Sequence, residues 1–328
     1  MAELNLLSIT PHQVSRDLRG YSVFFYGEPK SGKTTIASKF PDALLLAFEK
    51  GYNALAGVMA QPINSWAEFI KVQRQLKDEK VKEKFSTIII DTADIAYSYC
   101  EKYVCANNGV DTIADIGYGK GYALVGNEFD EKLRSIVQMD YGLVIISHAT
   151  DKTFKNEAGV EYNQIVPTLG NKPRNIVSRM CDIIGYSRAV QDAEGKTSTK
   201  LFMRGTPRYV AGSRFKYTPD YIDFNYKSLV KAIGDAIDKQ MEEDGSEYFT
   251  TERNNLYLNT REELNFDALM EEFNSIPETT KENKQIHGWG LPSVKDTVEK
   301  YNGTMECIRE ENEFTVSVMM FWEHLKTK

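Results

Sequence analysis

Residues Tyr21–Thr34 read YSVFFYGEPKSGKT. The first six are aromatic or β-branched apart from one serine, and they stop at Gly27, which predicts a buried strand. Gly27-x4-Gly32-Lys33-Thr34 then matches the Walker A pattern at every defined position. Lys33 to Phe40 predicts a helix, stopped by Pro41. The glycines let backbone N–H groups turn inward around phosphate oxygens. The helix start directs partial positive charge at the same anion. Gly27, Glu28, Pro29, Lys30, Ser31, Gly32, Lys33, Thr34 and Thr35 are therefore the candidate ATP-binding residues. Lys33 is expected to reach the β- and γ-phosphates and Thr34 to ligate Mg2+.

Downstream, ALLLAF (43–48), FSTIII (85–90) and YGLVIIS (141–147) are further apolar runs of strand length. Helical patterns lie between them at Ser65–Glu83, Ala93–Val104 and Asn127–Met139. Continuous apolar strands alternating with helices predict an α/β fold with a mostly parallel sheet covered on both faces. Ile183–Val190 and Thr199–Met203 predict a hairpin about Asp192-Ala193-Glu194-Gly195. A strand near Arg208–Ala211 and a helix over Tyr226–Glu243 are expected to close the domain.

Ligands in such sheets gather at the carboxyl ends of the strands. Asp91, ending the run TIII, is the candidate Walker B carboxylate and joins Thr34 as a metal-binding residue. Glu49, one residue past ALLLAF, is placed to polarise an attacking water. His148, after VIIS, is placed to sense the γ-phosphate. Lys33, Glu49, Asp91 and His148 make the candidate catalytic set.

The net charge of −7 argues against a general nucleic-acid binder. Its distribution is uneven. From Asp151 to Asp220 twelve bases face seven acids, a local excess of five positive charges, whereas the chain after Asp235 is acidic. The cysteines Cys100, Cys105, Cys181 and Cys307 form no C-x-x-C pair and histidines number four, so reduced thiols are expected and a zinc site is not. No apolar run approaches the roughly 20 residues of a membrane span, and the N-terminus lacks the pattern of a secretory signal. The cytoplasm is the expected compartment, that of a bacterial host if the chain is phage-encoded as the resemblance below implies.

GEPKSGKTTIASKF, LLLAFEKGYNAL, TIIIDTAD, VIISHAT and RGTPRYVAGSRFKYTPDYIDFNYKSLVKAI, in this order, resemble phage-encoded RecA-like NTP-binding proteins, a group that includes single-strand annealing recombinases. The likeness covers about residues 18–276. It implies a RecA-like ATPase using ATP and Mg2+, binding single-stranded DNA as a homo-oligomer, in phage recombination or replication. It admits a single-strand-binding protein as a further partner and no membrane. It makes Glu49 the catalytic glutamate and puts Pro167–Arg174 where a DNA-facing loop would lie, with Lys172, Arg174 and Arg179 as DNA-binding candidates. Arg204, Arg208 and Arg214 are candidates for an arginine acting in trans. A small-molecule kinase and a nucleotide-gated adaptor without turnover are the alternatives, although no basic lid is evident between Asp91 and Leu143.

Residues 277–285 (PETTKENKQ) read as a linker. HGWGLPSVK (287–295), running into DTVEKYNGTMECIREENEFTVSVMMF, resembles the last glycine box, helix and hairpin of a sensor histidine kinase ATP-binding domain. That family's Asn-bearing helix and Asp-x-Gly-x-Gly box are absent upstream, so no second ATP site is expected. Val294, Val298 and Tyr301 predict a helix; Met305, Cys307, Phe314, Val316 and Val318 alternate as in a hairpin. About forty such residues bury too little to stand alone. The tail, 286–328, is expected to dock on the main domain or order loosely, and a fused reading frame is one possible origin.

Overall fold

Alternation within the apolar strands divides the core in two. The computed structural model describes residues 11–117, 119–251, 304–310 and 313–319. The chain separates into two compact units, Met1–Arg261 and Glu262–Lys328. In β2 (Ser22–Gly27) every residue is buried. Phe24 and Tyr26 enter one hydrophobic cluster, Val23 and Phe25 the other. β5 (Thr87–Asp91) repeats this with Ile88 and Ile90 against Ile89, and β6 (Gly142–Lys155) with Leu143 and Ile145 against Val144 and Ile146. A period of two inside an unbroken apolar run means both faces are covered.

The strands run β11-β9-β8-β2-β6-β5-β3-β4, with β3 at Ala43–Ala47, β4 at Met59–Pro62, β8 at Ile183–Gln191, β9 at Thr197–Phe202 and β11 at Tyr221–Asp223. From β4 to β8 all neighbours are parallel; β8, β9 and β11 pair antiparallel. β7 (Glu161–Pro167) folds back on the outer half of β6, and β10 (Gly212–Ser213) joins β8. β1 (Val14–Ser15) pairs with β12 (Phe249–Thr250). This is the α/β, mostly parallel sheet flanked by helices that the apolar runs predict. The β8–β9 hairpin also falls where the sequence puts it, its turn held by Asp192 Oδ1, which accepts from the N–H groups of Glu194 and Lys196.

One cluster is covered by α2 (Trp66–Gln75), α4 (Ala93–Asn107), α5 (Lys120–Gln138) and α6 (Asn171–Met180). The other is covered by α1 (Lys33–Ala37) and α7 (Tyr226–Asp244), the latter through Leu229, Ala232, Ile233, Ala236 and Ile237.

Four expectations need correction. The helix expected over Ser65–Glu83 is two, because Asp78 turns extended and its carboxylate caps α3 (Glu79–Lys84) by accepting from the Lys80 N–H. α5 begins at Lys120, earlier than Asn127, after Gly119 takes a left-handed turn. Arg208–Ala211 is not a strand; its backbone bridges to Ile165, and the strand follows at Gly212. Pro167–Arg174 is not a loop: only Thr168–Gly170 separate β7 from α6, so Lys172 and Arg174 are helical.

The expected linker and the helix about Val294–Tyr301 lie outside the described residues. In the second unit, β13 (Thr304–Glu310) and β14 (Glu313–Met319) form the expected antiparallel hairpin, Cys307 opposite Val316. Cys100, Cys105 and Cys181 are buried free thiols. Among the described residues no helix is long and apolar enough to cross a membrane.

Candidate nucleotide site

The carboxyl ends of β2, β3, β5 and β6 bring Lys33, Thr34, Glu49, Asp91 and His148 together. Gly27 lies opposite His148, and Ala47 opposite Asp91. The loop after β2 turns through two left-handed residues, Lys30 at φ 64° and Gly32 at φ 96°. Gly27 is required for a different reason. A Cβ there would stand 2.1 Å from Ser187 Oγ and 2.5 Å from the Ser187 carbonyl oxygen. The loop is thus pressed against β8, and the Ser31 and Ser187 hydroxyls share a 2.8 Å hydrogen bond.

Lys33 is only 5% exposed. Its Nζ donates to the carbonyls of Gly27 (3.0 Å) and Glu28 (2.7 Å). Burial pulls its pKa down, while Asp91, Glu49, Asp94 and Glu28 pull it up. An ammonium satisfied by neutral groups, these two carbonyls and the Ser31 hydroxyl at 3.5 Å, is held in reserve for an anion. Thr34 Oγ1 donates to Asp91 Oδ2 at 2.6 Å. Asp91 is buried, and desolvation raises its pKa despite that bond. The Thr34 hydroxyl and the Asp91 carboxylate are hard oxygens of the kind that fit Mg2+, and these two residues would hold it, Asp91 through water.

At the rim, Glu49 Oε2 and His148 Nε2 stand 3.7 Å apart, each about a third exposed. The imidazole holds the Glu49 carboxyl below its usual 4.5, and the carboxylate lifts His148 above 6.5. Between those limits the pair is carboxylate and imidazolium. The Glu49 contribution is lost as pH falls through its lowered pKa, that of His148 as pH rises through its raised one.

Four neighbours escape a local reading of the sequence. Ser187 is one. Gly51 is another, since a Cβ there would lie 3.7 Å from Glu49 Oε1, 3.7 Å from Thr34 Oγ1 and 3.8 Å from Asp91 Oδ2. Thr168 Oγ1 donates to Asp94 Oδ1 at 2.6 Å, and its N–H donates to the His148 carbonyl at 2.9 Å. Asp94 Oδ2 and His148 Nδ1 are buried without hydrogen-bond partners among the described residues. Asp94, three residues past Asp91 at the start of α4, was the most accessible of the four to sequence reasoning.

The basic candidates have different local partners. The Lys172 stem crosses Gly126, and its Nζ donates to the Tyr122 carbonyl at 2.7 Å, tying α6 to α5. Arg174 donates to Asn171 Oδ1 at 2.9 Å, and its Nη1 is buried without a partner among the described residues. Arg179 is exposed beside a cavity of about 490 Å³ that includes Ser22, at the end of β2 remote from Gly27. Arg214 lines that cavity too, paired with Asp182 at 2.7 Å. Arg204 is held by the carbonyls of Thr218 and Lys216. Arg208 is exposed, with only its backbone engaged among the described residues.

Residues 19–215 match the family described as AAA domain, and residues 228–321 match one described as GHKL domain. The second match starts inside α7, which carries no asparagine. The SPbeta prophage-derived uncharacterized protein YorG of Bacillus subtilis (strain 168) is 31% identical over 309 residues, covering 91% of each chain. Residues 1–276 are 276 of 328, or 84%, so a match over 91% of the chain runs into the tail. At least part of the tail is therefore shared with a relative. Among solved structures, flagellar accessory protein FlaH from Methanocaldococcus jannaschii aligns at 10% identity and TM-score 0.34, over 63% of this chain and 85% of that one.

Proposed function

Since the chain belongs to the AAA domain family, we propose that it is a magnesium-dependent ATPase acting on single-stranded DNA as a homo-oligomer. The observation that carries the ATPase reading is the 2.6 Å Thr34–Asp91 hydrogen bond beside the buried Lys33. Thr34 and Asp91 would hold magnesium, whose positive charge would offset that of the phosphates. Lys33 leaves the Gly27 and Glu28 carbonyls for the β- and γ-phosphate oxygens, and the loop amides bind the same anion. Glu49 orients the attacking water and accepts its proton. His148, across from Gly27, responds to the γ-phosphate through the imidazolium that Glu49 sustains.

The DNA reading is supported by the order of the RecA-like motifs and by the basic excess between Asp151 and Asp220. The relative's prophage origin fits a role in phage recombination or replication, strand annealing included, in the host cytoplasm. Of the trans-acting candidates, Arg204 and Arg214 are occupied within their own subunit, by the Thr218 carbonyl and by Asp182.

The test is ATP hydrolysis by the wild type, Lys33→Ala and Glu49→Gln, each with and without an oligonucleotide. Lys33→Ala is expected to lose nucleotide binding. Glu49→Gln is expected to keep it while hydrolysis falls about 10²- to 10⁴-fold. Turnover unaffected by Glu49→Gln would remove the assigned base, and turnover indifferent to DNA would remove DNA dependence.

A further inference from the structure

The parallel part of the sheet ends at β8, and an aromatic row continues past it. Register puts Tyr26 beside Tyr186, Tyr186 beside Phe202 and Phe202 beside Tyr221. Ring centroids are 5.0, 6.0 and 5.7 Å apart along that row. Tyr209, from the loop before β10, packs on Tyr186 and Phe202 at 5.3 and 5.0 Å. Exposure grows outward: Tyr26 is 0% exposed, Tyr186 2%, and Tyr221 56%. The inner pair is stacked and the outer two are tilted, so Tyr221 is a ring packed on Phe202 on one side and exposed on the other.

The next row on the same face is Arg188, Lys200 and Asp223. Lys200 is neutralised by Asp223. Arg188 is exposed and binds no carboxylate among the described residues, and Arg208, next to Tyr209, is in the same condition. Glu28 and Asp151 also act electrostatically on Tyr186, so the face is mixed in sign. Two unpaired guanidinium groups flanking aromatic rings suit a chain with alternating phosphates and bases.

We propose that single-stranded nucleic acid crosses the open face of β8, β9 and β11, with a base stacked on Tyr221 and phosphates on Arg188 and Arg208. This rests on the DNA reading above and moves the contact away from Lys172 and Arg179. The surface adjoins the nucleotide loop directly. Arg188 follows Ser187, whose hydroxyl bonds Ser31 and whose position Gly27 accommodates. A shift of the loop on binding phosphate is therefore felt by the strand that carries Arg188.

The experiment is fluorescence anisotropy of the full chain with a labelled oligothymidylate of about 20 nucleotides, titrated over a range of salt. Tyr221→Ala is expected to bind about fivefold to a hundredfold more weakly and Tyr221→Phe as the wild type does. Arg188→Ala with Arg208→Ala is expected to flatten the log–log salt slope by about 1.4, two phosphate contacts on a single strand. Lys71→Ala, an exposed change on α2, is expected to alter neither, and melting curves check that each variant folds. If the wild type binds and neither the stacking nor the arginine variant weakens it, this inference fails, the face serves another partner such as a protein, and the DNA reading stands. If the wild type does not bind even at low salt, both fall.

Discussion

Asp91 is 3% exposed and accepts a hydrogen bond from the neutral Thr34 hydroxyl, and desolvation raises its pKa above 3.8. A raised folded pKa means that its stabilising contribution is present below 3.8 and lost as pH rises through the folded value. Above that folded value the ligand-free protein holds a carboxylate that costs it stability. Asp91→Asn is expected to melt about 2–4 °C higher than the wild type without ligand, the shift that about 1 kcal/mol makes in a domain of this size. With Mg2+ and ATP the order is expected to reverse, because only the wild type gains ligand linkage. Thermal melts in both conditions check this, and a ligand-free variant melting below the wild type contradicts it. Lys33, Thr34, Asp91, Glu49 and His148 were all legible in sequence, because strand ends in an α/β sheet converge and each residue ends or follows an apolar run. Ser187 and Thr168 were not, since their partners lie 156 and 74 residues away and only strand order brings them close.

The P-loop is held by an element that its motif does not mention. Gly27 pairs in parallel with Ser187 of β8, and the missing Cβ is what allows the two backbones to approach. Gly27→Ala is expected to destabilise the fold by about 1–3 kcal/mol, the usual cost of overpacking. Ser187→Ala in the same chain relieves the hydroxyl contact but leaves the carbonyl at 2.5 Å, so rescue is expected to be partial. Denaturant unfolding of both variants measures this, and full rescue would show that the side chain alone sets the limit. Element boundaries were legible where a run is continuous and apolar, as in β2, β5 and β6. They were missed where a single polar side chain decides, as Asp78 does between α2 and α3. They were missed again after Thr168–Gly170, where the resemblance implied a DNA-facing loop over Pro167–Arg174 and the chain instead enters α6.

At the scale of the molecule, the two family matches and the hydrophobic cores divide the chain differently. The AAA domain match ends at residue 215 and the GHKL domain match begins at 228, which invites a boundary between them. The packing forbids it. α7 starts at Tyr226 with Asn225 as its cap, and its Leu229, Ile233 and Ile237 are at most 1% exposed in the cluster that also holds Val23, Phe25 and Val144. Each such side chain contributes roughly 1.5–3 kcal/mol by burial, so removing three costs about as much as the 5–15 kcal/mol that usually holds a domain folded. A chain ending at Asp223 is therefore expected to unfold or aggregate. A chain ending at Arg261, where the first compact unit ends, is expected to melt in one transition and to keep its affinity for nucleotide. Calorimetry and nucleotide titration of the two truncations separate these outcomes. A folded, nucleotide-binding chain ending at Asp223 would mean that α7 belongs with the tail, and that the second cluster closes without it.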